Sequence, residues 1–526
     1  MKVYPIDIYE EFSNGDSFKQ TIGTRGIAEQ GKINERFFIG DQWYGANCGN
    51  DRPLVRHNVI RRIGNYKMSN ILATPVNVAF SAEGIPTIDY ERSELTFDEN
   101  VTDEREINYI CDTFKNYYKT TAERVKLNEL SEKILRTAYI WGSAVLYTYW
   151  EPSVTTGLFA DSLKKEKISG DICCEALHIN DIVFADPYTD NLQEQEYIII
   201  SSSKDVNTVL REARLYGANL KTLSQIEALA EDGKVTVYTK LYKEYKKDQS
   251  FTVKCIKTTE NNIVRNVFDT GLSIYPLSIF SWEKRNNLIY GESEITYIIP
   301  NQIAINRMIT ANVWSKMTMG MPIMLVNGDT VSEKITNDPG QIIKIYGSNE
   351  DVASAVKYIT PPSLSDDFDS SINTLIENTL GQNGANEVAL GDTEANNASA
   401  LATMQNAALM PLNIIKNRYY AFIEDVARIW CSFWLEFYGN RPLKVKGKSG
   451  IEYAEFDAKR YKDLAINVTV EVSNKNLYSE KEQTNLLLTL FDKGIIDREA
   501  LIKRLPSGAV PDKNELLYTE ITEEEE

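Results

Sequence analysis

The residues whose types and spacing suggest a chemical role form one strongly anionic stretch. Residues 358–415 contain seven carboxylates and no lysine or arginine, so this 58-residue segment has a formal charge of −7. Its central part, GQNGANEVALGDTEANNASA, is rich in glycine and asparagine, which predicts a loop between two helices. Carboxylates repel phosphate groups, and this segment offers no cation to hold them. Such a surface would let a polyanion pass without binding it. The carboxylates are Asp366, Asp367, Asp369, Glu377, Glu387, Asp392 and Glu394.

A simpler interpretation of the same segment also exists. Gly/Asn-rich stretches with few apolar residues are commonly flexible, solvent-exposed insertions. Composition alone favours this interpretation, so a role for the loop must be supported by the rest of the chain.

Residues suited to catalysis or metal binding are few and badly spaced. Asp181 and Asp186 in INDIVFADP could form an acid/base pair, but two carboxylates in a turn are more often caps. The only histidines, His57 and His178, lie outside any HExxH or comparable pattern, so packed or surface roles are expected. We therefore expect no catalytic residues and no metal site.

A fragment of a nucleotide-binding motif is incomplete. Gly447, Lys448 and Ser449 resemble the end of a Walker A loop, but Pro442 occupies the position where that motif requires glycine. A basic surface turn is the expected structure.

Composition limits the class of protein. The chain has 526 residues, is 43% hydrophobic and carries a net charge of −18, which argues against tight nucleic-acid binding but not against passage of DNA. At about 150 residues per domain, three or four structural units are expected. No secretory signal or membrane-spanning run is predicted. The cysteines show no close ligand spacing, which indicates a reducing compartment. They are Cys48, Cys111, Cys173, Cys174, Cys255 and Cys431.

Periodicity predicts an α+β body followed by a helical region. The first 285 residues alternate helical patterns, such as Asp103 to Ala138, with β-rich segments that begin at Ser143. Gly291 to Met319 is then predicted as a helix of roughly 40 Å, with Pro300 as a kink or part of its first turn. A short β segment, residues 321–359, separates it from a second helix, residues 365–380, which is expected to end at Gly381.

The last third of the chain begins with a long helical pattern. Residues 398–438 would form a helix of about 60 Å, whose apolar stripe from Leu412 to Phe437 is expected to be core. Pro411 removes a backbone hydrogen bond, so a bend is expected there. LAINVTVEV is predicted as a strand pair, followed by short helices from Ser479 and Asp497.

In this order, the elements resemble the portal proteins of tailed bacteriophages, over about the whole chain. The segments that carry the resemblance are FFIGDQWYG, WGSAVLYTYWEP with EALHINDIVFADP, YGESEITYIIPNQIAINRM and EKEQTNLLLTLFDKGIIDREALIKRL. The portal fold would place an α+β wing at 1–290, stem helices at 291–320 and 363–381, a β clip at 321–362, a tunnel loop at 382–397, a long kinked tunnel helix at 398–438, and a wing return with C-terminal crown at 439–526.

The resemblance implies a structural role without enzyme activity or cofactors. Such proteins form a homo-oligomeric ring, a dodecamer, at one capsid vertex, through which a terminase motor drives double-stranded DNA. The major capsid protein and neck or head–tail adaptor proteins are the other implied partners, with no membrane. The implied location is the virion, after assembly in the host cytoplasm.

The resemblance also assigns roles to individual residues. Duplex DNA carries one charge per about 1.7 Å, so a channel lined with cations would hold it, whereas translocation needs weak contacts. We hypothesise that the tunnel-loop residues face the channel, namely Asn383, Asn386, Glu387, Asp392, Asn396 and Asn397. Limited contacts with DNA or the motor are expected from Lys316, Lys334 and Lys344.

Two alternatives remain. An enzyme with an acidic cleft would be a monomer or dimer with a deep pocket and perturbed carboxylates. A different virion structural or scaffolding protein is the other.

Overall fold

The chain folds as an α+β protein, as the sequence predicts. The computed structural model describes residues 4–46, 53–73, 76–83, 86–89, 94–97, 104–159, 167–247, 250–320, 323–326, 356–359, 366–385, 410–447, 450–457, 465–472, 477–497, 501–502 and 505. The helices are α1 (Pro5–Thr21), α2 (Ile27–Ile39), α3 (Val59–Leu72), α4 (Glu104–Arg124), α5 (Leu127–Trp141), α6 (Val206–Leu215), α7 (Leu220–Ala228), α8 (Ile295–Gly320), α9 (Asp366–Gln382), α10 (Asn413–Phe437) and α11 (Leu477–Asp492).

The strands form several antiparallel sheets. They are β1 (Val76–Glu83), β2 (Pro86–Asp89), β3 (Glu94–Phe97), β4 (Ser143–Phe159), β5 (Lys167–His178), β6 (Ile182–Phe184), β7 (Tyr197–Asp205), β8 (Lys234–Tyr245), β9 (Phe251–Thr258), β10 (Ile263–Asp269), β11 (Leu277–Ser281), β12 (Glu283–Arg285), β13 (Leu288–Glu292), β14 (Ile323–Val326), β15 (Val356–Ile359), β16 (Asn440–Gly447), β17 (Gly450–Asp457) and β18 (Ala465–Val472). One sheet has the order β10-β9-β8-β7-β6 and another the order β11-β4-β5, while the remaining strands pair two by two.

Helix α10 passes through the main hydrophobic core. Its Trp430 and Trp434 are fully buried, and Trp434 stacks on Phe114 of α4 with ring centroids 5.8 Å apart. Of the predicted apolar stripe, every member except the half-buried Phe437 is buried. The prediction that this stripe is core is confirmed.

Helices α8 and α9 form an antiparallel hairpin. Near the start of α8, Asn301 donates a hydrogen bond of 3.3 Å to the hydroxyl of Thr379 near the end of α9. Near the end of α8, Lys316 pairs with Asp369 at the start of α9. Strands β14 and β15, which lie between these helices in the chain, pair with each other. The predicted order of helix, small β segment and helix is therefore observed.

The start of the first hairpin helix differs from the prediction. Gly291 belongs to β13, and α8 begins at Ile295, so Pro300 lies inside the helix and not in its first turn. A Cβ at Gly291 would lie 2.7 Å from the carbonyl oxygen of Gly142. The backbones at Gly291 and Gly142 therefore approach so closely that only glycine fits at this position of the strand.

The end of the second hairpin helix also differs. Helix α9 continues past Gly381 to Gln382, because the left-handed residue that follows it is Gly384, with φ of 71°. Gly381 is an ordinary helical residue with no heavy atom near its Cβ position.

Two long-range features were not predicted. Helix α1 packs on the five-stranded sheet through the fully buried Ile8. LAINVTVEV forms a single strand, β18, and its partner is β1, where Val76 pairs with Val472. The predicted local strand pair is therefore wrong, because this strand finds its partner far away in sequence.

Candidate functional site

Buried carboxamides attach α8 to the body of the protein. The side chain of Gln302 is fully buried, and its Oε1 accepts the N–H groups of Val59 at 2.9 Å and Ile60 at 3.3 Å. Its Nε2 donates to the carbonyl of His57 and to Oδ1 of Asn306 at 2.6 and 3.0 Å. These bonds satisfy the first N–H groups of α3 with a side chain of α8, which fixes the two helices relative to each other.

A charged cluster lies at the base of the same helix. Lys67 of α3 pairs with Glu294, just before α8, and Nε1 of Trp282 donates to the second carboxylate oxygen at 2.9 Å. Arg418 of α10 donates to the carbonyl oxygen of Trp282. Burial raises the pKa of the nearby Glu283 carboxyl, and the charge of Glu294 raises it further. The cluster joins α3, α8 and α10, and sequence patterns gave no indication of it.

The far end of the hairpin carries an exposed ion pair. Nζ of Lys316 lies 2.9 Å from Oδ2 of Asp369, and their side chains are 61% and 52% exposed. Asn312 also donates to this carboxylate. The hydrogen bond from Lys316 holds the pKa of Asp369 below its usual value. Lys316, predicted to contact DNA or the motor, is thus accessible but paired within its own chain.

The start of the anionic loop is anchored to the end of α9. The side-chain amide of Asn383 donates to the carbonyl of Thr379 at 2.7 Å, and the N–H of Ala385 donates to the carbonyl of Leu380 at 2.9 Å. Ala385 and Leu380 are both buried in the main core. Asn383, predicted to face a channel, therefore caps the helix with its side chain.

The two ends of the anionic loop meet. A Cβ at Gly384 would lie 3.7 Å from Cβ of Pro411, which belongs to a 3-10 turn, Met410–Leu412, directly before α10. Residues 386–409 therefore leave and rejoin the described structure at neighbouring points. The predicted bend at Pro411 concerns residues 398–409 as well, which lie outside the described residues.

Most of the residues predicted to line the channel or contact the motor lie outside the described residues. They are Asn386, Glu387, Asp392, Asn396, Asn397, Lys334 and Lys344.

The carboxylates considered for acid/base chemistry have structural partners. Asp186 accepts the N–H of Tyr188 at 3.0 Å and the hydroxyl of Thr189 at 2.8 Å, which is a turn cap as expected. Burial raises the pKa of Asp181, and the positive charge of Lys19 opposes this shift.

The two histidines and Gly447 lie in local structural settings. Nδ1 of His178 accepts the N–H of Asn180 at 3.2 Å, so this side chain caps a short 3-10 turn. The backbone N–H of His57 donates to Oδ1 of Asn306 at 3.0 Å. Gly447 ends β16 and pairs with Gly450 of β17. Lys448 and Ser449, predicted to form a basic turn, lie outside the described residues.

Two cavities bear on the enzyme alternative. The larger, of about 360 Å³, is lined by Pro5, by the turn between α6 and α7 and by residues 261–264, and it contains no carboxylate or histidine. The smaller, of about 70 Å³, includes Glu292. Burial opposes ionisation of this carboxyl, but hydrogen bonds from Arg285 and Tyr297 outweigh it and lower its pKa. Neither of these two cavities is lined by a carboxyl group with a raised pKa that could serve in proton transfer.

The described residues contain neither a metal-binding cluster of His, Cys, Asp or Glu nor a helix long and apolar enough to cross a membrane. Comparison with protein-family models and with curated proteins found no match to this chain.

Proposed function

We propose that this chain is the subunit of a portal ring, a structural channel at one vertex of a phage capsid through which double-stranded DNA is packaged and ejected. Helices α8 and α9 are the stem, β14 and β15 belong to the clip, and residues 382–397 are the tunnel loop. Terminase docks on the ring during packaging and neck or head–tail adaptor proteins dock afterwards, while the major capsid protein surrounds it.

The proximity of Gly384 to Pro411, where a Cβ on the glycine would lie 3.7 Å from Cβ of Pro411, is the observation that carries this proposal. The segment between them, residues 386–409, contains three carboxylates and no lysine or arginine. Its two ends are adjacent at the base of the hairpin. Because both ends of this segment join the described structure at neighbouring points, a filament that moves past it cannot carry either end away.

Electrostatics supports passage of DNA over binding. Affinity for duplex DNA comes from cations that displace its counterions, and each such contact adds to it. Each subunit has a net charge of −18 and a loop without cations, so the contribution of counterion release to DNA affinity stays small. DNA is then confined by the shape of the channel and is not held by its walls.

The attachment of the hairpin fits the same role. The hydrogen bonds of Gln302 and the Lys67–Glu294 pair fix α8 to the body at two levels. A motor that pushes on the clip needs a stem that transmits force without bending.

Electron microscopy of the purified full-length chain tests the proposal. We expect closed rings with a central hole wide enough for B-form DNA, and mass photometry should give one dominant high-mass species. Compact monomers or dimers at micromolar concentration would contradict it and favour the enzyme alternative. A closed shell or filament would favour another virion structural protein.

A further inference from the structure

Three exposed arginines form a basic surface beside α8. Arg56 precedes α3, and Arg61 and Arg62 lie in its first turn. None of them forms an ion pair with a residue that the structure describes. The sequence around them, residues 52–82, contains five lysines and arginines and no carboxylate. This arginine surface thus has the opposite charge to the cation-free segment, residues 358–415, of the same chain.

Helix α9 presents an acidic face. The helix contains four carboxylates and no lysine or arginine. Asp369, Asn373 and Glu377 recur every four residues, which places them on one side of the helix, and all three are exposed. Asp369 pairs with Lys316, whereas Glu377 has no ion-pair partner among the described residues. The negative charge of this face is therefore only partly neutralised within the chain.

The arginine surface and the acidic face lie beside the same stretch of α8. The N–H of Val55 donates to the hydroxyl of Thr310 at 3.2 Å, and the N–H of Val59 donates to Gln302 at 2.9 Å. Helix α9 is bonded to Asn301 and Asn312 of the same stretch and also contacts α3. Both surfaces therefore lie at the height of residues 301–312 along the helix.

We propose that the arginine surface of one copy docks on the acidic face of α9 of the next copy, so that this contact joins neighbouring stems. The inference rests on the proposed function and places α8 along the ring axis. Rotation about that axis leaves height unchanged, so two patches at one height on the stem can meet at every subunit boundary. A head-to-tail contact of this kind closes a ring with a single type of interface.

Charge complementarity favours a second copy over nucleic acid as the partner of the arginines. The arginine surface carries three positive charges, and α9 carries four carboxylates, of which Asp369 is paired with Lys316, so the two surfaces are opposite in sign. Opposite charges guide the correct docking, and like charges penalise a wrong register.

Charge reversal on each side tests the contact. The variant R56E/R61E/R62E should lose the ring peak in mass photometry, and so should N373R/E377R, because each places like charges at every boundary. A 1:1 mixture of the two should recover rings, since a reversed arginine surface then meets a reversed acidic face in alternating subunits. The matched control is R211E/R214E/K221E, which reverses three exposed cations on α6 and α7 and should form rings as the unmodified chain does. Far-ultraviolet circular dichroism verifies that each variant is folded.

The possible outcomes separate this inference from the proposed function. If the unmodified chain forms rings and both reversed variants do so too, the inference is overturned while the portal proposal stands. If the arginine variant keeps its rings but loses affinity for a 30-base-pair duplex, the arginines bind nucleic acid and the inference is again overturned. If the unmodified chain forms no ring, the proposed function itself fails.

Discussion

Lys67 and Glu294 form an ion pair in which each side chain is only 9% exposed. The pair connects α3 to the residue directly before α8, and Trp282 occupies the other carboxylate oxygen. Charges taken out of water in this way are stable only while both partners are present. Separating the two side chains would therefore cost much free energy, so the pair fixes the base of the hairpin.

Replacing one partner should be far worse than replacing both. We expect K67M to lower the free energy of unfolding by about 3 to 5 kcal/mol, because it leaves an uncompensated buried carboxylate. The double variant K67M/E294M should recover most of that loss. As control, R428M breaks the Arg428–Asp425 pair, whose side chains are 52% and 54% exposed, and should cost less than about 1 kcal/mol. Urea denaturation measures the free energy of unfolding of each variant. An equal loss of stability in K67M and in the double variant would contradict the expectation.

Glu283 should make stability depend on pH. Burial and then the charge of Glu294 raise its folded-state pKa above the ordinary value of 4.5. At pH values between 4.5 and the folded-state pKa of Glu283, the folded chain binds more protons than the unfolded chain. The free energy of unfolding therefore falls as the pH rises through this range. E283Q removes this effect, so its gain in stability over the unmodified chain should grow as the pH rises from below 4.5 through the folded-state pKa of Glu283. A pH-independent difference would refute the argument, and E227Q on the exposed face of α7 is the control.

Gln302 should be sensitive to a change that preserves its size. Q302L leaves the N–H of Ile60 without its acceptor in a buried site, at about 1–3 kcal/mol for an unsatisfied group, whereas the N–H of Val59 keeps the carbonyl oxygen of His57 at 2.9 Å. The exposed Gln225 on α7 provides the control, and Q225L should change stability by less than about 0.5 kcal/mol. Thermal unfolding followed by circular dichroism compares the two, and similar midpoints would show that the carboxamide bonds contribute little.

Two neighbouring glycines should respond in opposite directions to alanine. Gly384 has φ of 71°, so G384A should destabilise by about 1 kcal/mol. Gly381 is helical with open space at its Cβ position, so G381A should stabilise by up to about 1 kcal/mol. Chemical denaturation of both variants checks the sign, and a stabilising G384A would be inconsistent with the left-handed conformation.

The charge of the loop should control the movement of DNA. E387K/D392K adds cations where the chain has none, so rings with this variant should retain duplex DNA with a steeper dependence on salt and package it more slowly. E227K/E231K makes the same charge change on the body and should have little effect. An unchanged packaging rate in the loop variant would contradict the proposed role of the carboxylates.

The sequence determined the elements whose pattern is local. The helical spans around α8 and α9, the small β segment between the hairpin helices and the buried stripe of α10 all follow from apolar spacing and from turn residues. The cation-free segment is likewise a property of the sequence, because charge composition does not depend on folding.

Only the tertiary structure decided which distant residues meet. The pairing of β1 with β18, the Lys67–Glu294 pair and the place of Gly291 in a strand each depend on a partner far away in sequence. Polar residues inside the apolar pattern of α8, Gln302 and Asn306, mark a buried contact without indicating its partner. The proximity of Gly384 to Pro411 also depends on how the chain folds. Local periodicity reports the face a residue presents, whereas closure of a loop depends on how the helices at its two ends pack together.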